Sequence, residues 1–161
     1  MNQGTTLATT YRLIEQSTMD IALPPLHPLV VHAAVVLLPL AALGAIVIAL
    51  SARARERYGS LVAGGAVVAT GSAFAARFSG EALAGTTTGT GTLGAHMFWG
   101  LIAPWPALGL VVAVIGLLLA GRGEHPGALR IFQVASIVVA LASLTVVVIT
   151  GHLGATAVWI G

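Results

Sequence analysis

Imidazoles are scarce in lipid, yet this chain sets them at the edges of its apolar runs. His27 and His32 bracket the opening of one run, in Leu26-His27-Pro28-Leu29-Val30-Val31-His32. His96 begins another, and His152 follows the last. Ionisable side chains at such positions mark functional sites by default. Glu81 and Arg77 close a further run. Imidazole is the usual protein ligand of b-type haem iron, copper, zinc and non-haem iron. A b-type haem would use two of His32, His96 and His152 as axial ligands, with Arg77 pairing a propionate. A single copper, zinc or iron ion would instead take three nitrogens from among His27, His32, His96 and His152, completed by Glu81 or water.

Plainer readings stand beside these. Arg77 and Glu81 are spaced i, i+4, which suits a surface ion pair on a helix. A boundary histidine can serve simply as a hydrogen-bonded interfacial residue. Trp99 and Trp159 fit an interfacial aromatic belt. His125, before Pro126, reads as a solvated turn residue. The Thr86–Thr92 stretch reads as a flexible loop.

The elements that must position the histidines are membrane spans. The chain has 161 residues, 57% hydrophobic and 7% charged, with mean hydropathy +0.98. So little charge cannot cover a water-soluble domain of this size. Cysteine is absent, which excludes disulfides, thiolate metal sites and thiol redox chemistry. The net charge of +2 comes from arginines that flank apolar runs and gives no reason to expect nucleic-acid binding.

A bilayer core of about 30 Å takes roughly 20 helical residues. Four runs reach that length, at about 28–50, 59–80, 94–120 and 128–150. The expected fold is all-α: one four-transmembrane-helix bundle over 26–161, preceded by a short polar tail, 1–25, with an interfacial turn near Tyr11–Ile14. Pro39 should kink the first helix, and Pro104-Trp105-Pro106 should bend or interrupt the third. The short turn at 121–127 makes the third and fourth helices antiparallel neighbours.

Five arginines (Arg53, Arg55, Arg57, Arg122, Arg130) fall in the two loops on one side, against Arg12 and Arg77 on the other. The positive-inside rule puts the first set in the cytoplasm and both termini outside. Four of the five histidines and Glu81 then gather in one layer near the outer face. His27 and His32 lie five residues apart, about 140° around an ideal helix. Both face the bundle only if His27 precedes the helix, which Pro28 favours.

Three segments at these spacings resemble the bacterial membrane-protein family known as domain of unknown function 2231. They are His27-Pro28-Leu29-Val30-Val31-His32 running on to Leu38-Pro39-Leu40; Ser79-Gly80-Glu81-Ala82-Leu83-Ala84, followed by His96 and Gly100; and Gly151-His152-Leu153-Gly154-Ala155 with Val158-Trp159. The resemblance covers Leu26 to Trp159. It implies a four-helix protein of the bacterial cytoplasmic membrane, with these histidines as motif positions. Family members are sometimes joined to Rieske-type iron–sulfur domains, which implies an electron-transfer setting. The loop between Glu81 and His96 departs from the family in being Gly/Thr-rich rather than charged.

The expected function is therefore a small membrane redox protein. It would bind b-type haem near the outer face and exchange electrons with a quinol or a partner redox protein. One alternative is a copper, zinc or iron-binding membrane protein. Another is a cofactor-free accessory subunit of a respiratory or transport complex. The expected partners are the bilayer and either another membrane protein or a second copy of the chain.

Overall fold

In the computed structural model, the described residues are 26–84, 91–123 and 125–159, and their secondary structure is entirely helical. The tail with Arg12, the turn near Tyr11–Ile14, most of the Thr86–Thr92 stretch and the side chain of Trp159 lie outside the described residues. Five helices follow one another: α1 (Leu26–Leu50), α2 (Ala52–Ala84), α3 (Thr92–Ile102), α4 (Pro104–Ala120) and α5 (Pro126–Trp159). Together they make four spans, because α3 and α4 form a single interrupted one.

Only Ser51 separates α1 from α2, so the arginine-rich stretch expected as a loop is helical. Arginine is a good helix former, and Ser51 starts the new helix by accepting the Ala54 N–H on its Oγ at 3.2 Å. The last carbonyls of α1 find donors nearby. Arg55 reaches Ile48 O at 3.2 Å, and Gln133 of α5 reaches Ala49 O at 2.9 Å. Such partners satisfy the acceptors that a helix end leaves open.

Pro104 and Pro106 interrupt the third span as expected. Neither has an N–H, so the carbonyls of Gly100 and Ile102 lose their helical donors. Ala103 keeps helical angles at the break (φ −51, ψ −38) and its N–H still bonds Trp99 O. Pro39 lies within an uninterrupted α1. Gly91, just before α3, has φ 62, a left-handed angle that glycine adopts without a Cβ penalty.

Contacts along the helices give their directions. Gly44 faces Val62, and His27 meets Ser79, so α1 and α2 run antiparallel. Gly59 faces Leu118, and Thr70 donates to Ala107 O at 3.0 Å, so α2 and α4 do the same. Gly109 against Val139 and Gly116 against Phe132 pair α4 with α5 as expected. The remaining side joins α1 to α5. Each span thus neighbours two antiparallel ones in an up-down-up-down bundle.

Alanine dominates the core: Ala42, Ala45, Ala66, Ala69, Ala107 and Ala140 are all buried, around Leu38, Ile48, Leu110, Val114 and Leu117. Small side chains let membrane helices approach closely and gain dispersion contacts. The outward faces carry Val36, Leu40, Val47, Val68, Val112 and Val148 in the open. In water that surface would aggregate. In lipid it is the matching solvent, and the molecule is a multi-pass membrane protein.

Candidate functional site

At the end of the bundle away from Arg53, Arg55 and Arg57, α1, α2, α3 and α5 part around a crevice of about 450 Å³. That volume suits a small-molecule or cofactor site. Its walls are mainly apolar, from Val31, Ala76, Leu93, Gly100, Leu101 and Ala157. The polar exceptions include His27, His96, Arg77 and Glu81. Four of the six residues singled out from the sequence are therefore brought together.

His27 comes from α1. Its Nδ1 lies 2.9 Å from Ser79 Oγ on α2. The Ser79 hydroxyl also lies 3.0 Å from Ala76 O, which can only accept; with the hydroxyl proton on that carbonyl, the His27 Nδ1–H donates to Ser79. His96, in α3, lies with Nδ1 2.9 Å from Thr150 O on α5. A carbonyl only accepts, so this ring also carries its proton on Nδ1. With Nδ1 so protonated, the neutral form of each ring has its lone pair on Nε2. Each ring rests against a glycine of the facing helix. A Cβ on Gly80 would stand 3.1 Å from His27 Cε1, and one on Gly154 would stand 2.9 Å from His96 Cε1.

Arg77 and Glu81 form the ion pair expected from their spacing, Nε to Oε1 at 2.9 Å. A second guanidinium nitrogen lies 3.5 Å from Leu101 O, two residues before the break at Ala103. The pair is partly solvated, at 24% and 44% side-chain exposure.

His32 and His152 lie elsewhere. Both are exposed, and neither lines the crevice. The expectation that His27 precedes the helix is corrected here: α1 begins at Leu26. The 140° between positions 27 and 32 then applies in full, and facing one ring inward turns the other outward. His32 instead bonds its own helix, Nδ1 to Pro28 O at 2.6 Å. On α5, Thr150, Gly154 and Ala157 share the crevice-facing stripe. Position 152, about 200° from both 150 and 154, points away. Among the described residues, no three of the histidine and carboxylate side chains are grouped to hold a metal ion.

A model of the family described as predicted membrane protein (DUF2231) matches residues 23–161. The chain belongs to this family. No curated protein and no solved structure is significantly similar to it. Within this DUF2231 chain the crevice draws on all three motif segments, through His27, the 79–81 turn and Gly154. Met97 is a lining residue that sequence reasoning passed over. Its place beside His96 was its only signal.

Proposed function

We propose that this protein is a small redox component of the bacterial cytoplasmic membrane that holds b-type haem in the crevice near the outer face. Electrons would pass to or from a quinol or a partner redox protein. One observation carries the reading: two imidazoles from different helices line one apolar crevice, each with Nδ1 committed and Nε2 carrying a free lone pair. A six-coordinate b-type haem would take two such ligands, whereas a bare ion held by imidazole and carboxylate takes three or four. His27 and His96 would hold the haem, in place of the pairs drawn from His32, His96 and His152.

The surroundings fit the same group. Ala76, Gly100 and Ala157 leave room for a flat ring, and Arg77 keeps guanidinium protons for a propionate. Bound there, haem supplies a one-electron couple. The protein supplies ligand orientation and a low dielectric.

Met97 favours a second reading, a copper(I) site of two imidazoles and one thioether, since soft sulfur donors select that ion.

An absorption spectrum of detergent-purified protein, oxidised and then dithionite-reduced, with elemental analysis of the same sample, tests both. The expected result is a Soret band with sharp reduced α and β bands. It should be lost or strongly altered in His27→Ala and His96→Ala and kept in His32→Ala and His152→Ala. Stoichiometric copper without a Soret band, lost in Met97→Leu, would replace haem by copper. Neither group, in protein made with ample haem and copper, would overturn the redox reading and leave the accessory-subunit alternative.

A further inference from the structure

The same crevice shows how its two imidazoles are prepared, whichever group they receive. We infer that Ser79, Gly80 and Gly154 are positioning residues that lock His27 and His96 as Nδ1–H tautomers and seat both rings with Nε2 available to a ligand. In water, neutral histidine favours the opposite tautomer, with the proton on Nε2. The preference is reversed here by two local devices. The His27 Nδ1–H donates to a hydroxyl whose own proton is held by Ala76 O. The His96 Nδ1–H donates to the Thr150 carbonyl.

A hydrogen bond to the second ring nitrogen fixes both the tautomer and the ring plane of a metal-binding histidine. The glycines act sterically. Any side chain at 80 or 154 would press on the facing imidazole. The pattern differs from that of His32, whose Nδ1 bonds a carbonyl four residues back in its own helix. That bond ties the ring to α1 alone, whereas Ser79 and Thr150 tie His27 and His96 to facing helices.

The tautomer claim depends on hydrogen bonds alone. Its use by a metal centre rests on the proposed function, and the experiment separates the two. Protein labelled with ¹⁵N-histidine, in a His32→Gln, His125→Gln, His152→Gln background, is reconstituted in lipid without haem or copper. Solid-state NMR at alkaline pH then reads which nitrogen of each remaining ring is protonated. His27→Gln assigns the two sets of signals.

Both rings should appear as Nδ1–H. Ser79→Ala should return His27 to mixed or Nε2–H form without moving His96, and Ser79→Thr should restore it. Gly154→Ala should disturb His96 alone, and Gly80→Ala His27 alone. An Nε2–H form of either ring in the unaltered sites, or a His27 tautomer indifferent to Ser79→Ala, would overturn the assignment. Titration with haem b, and separately with copper(I), follows. Ser79→Ala should weaken uptake roughly 10–100-fold, the usual effect of removing such a partner. Correct tautomers with no uptake of either group would sink the redox proposal and leave the positioning assignment standing.

Discussion

Ser79 shows how one hydroxyl can determine what a histidine offers. It lies within hydrogen-bond distance of both Ala76 O and His27 Nδ1, and with its proton on the carbonyl the free lone pair of that ring is at Nε2. Arg77 and Glu81 illustrate the opposite case, a clear contact with little energetic weight. Their 2.9 Å pair is partly solvated, and exposed i, i+4 pairs contribute about 0.3–0.5 kcal/mol. Glu81→Gln should therefore change unfolding free energy in detergent by less than about 0.5 kcal/mol. A loss of several kcal/mol would mean that the carboxylate has a structural task the ion pair does not describe. If Arg77 anchors a propionate, Arg77→Gln should weaken haem uptake while leaving the apo protein's stability nearly unchanged.

At the scale of the helices, close approach is governed by residues without side chains. Gly116 of α4 lies directly under the Phe132 ring of α5, with no space for even a methyl group. Gly116→Ala should destabilise the bundle by about 1–3 kcal/mol, the usual cost of overpacking. Phe132→Leu should recover part of that loss, and a double-mutant cycle in a reversible detergent unfolding assay measures the coupling. Strict additivity of the two changes would show that the α4–α5 contact is looser than described. The third span adds a local weakness of its own. Pro104 and Pro106 remove two helical hydrogen bonds, and Gly100, whose carbonyl loses its donor, lines the crevice. The interruption at Ala103 follows directly on the α3 stretch that lines the crevice.

For the molecule as a whole, a cluster of arginines and the crevice with its histidines mark opposite ends. Arg53, Arg55, Arg57 and Arg122 lie at the end where α1 meets α2 and α4 turns toward α5, while the crevice lies at the other. By the positive-inside rule, the expected side for the crevice is outside the cytoplasm. The chain has no cysteine, so single-cysteine labelling is free of background. A membrane-impermeant maleimide on intact cells with a permeable outer envelope should label Thr92→Cys, which is exposed just before the crevice. Arg122→Cys should react only after the membrane is opened. The reverse pattern would invert the topology and place the crevice inside.

Composition and run length were enough to determine a four-span helical membrane protein, because lipid accepts few other backbone solutions. The order of the histidines along those spans was also enough to place four of the five at one end. The proline interruption in the third span was legible for a covalent reason, the missing N–H. Which imidazoles meet was decided only by tertiary structure. Because α1 already includes both positions, His27 and His32 stand about 140° apart, and the contact of His27 with Ser79 of α2 leaves His32 facing outward. Position 152 faces outward because Thr150 and Gly154 face inward against His96. The tautomers, too, depend on partners far away in the chain, Ser79 for His27 and Thr150 for His96. Spacing along one helix could not reveal those partners, because packing between helices supplies them.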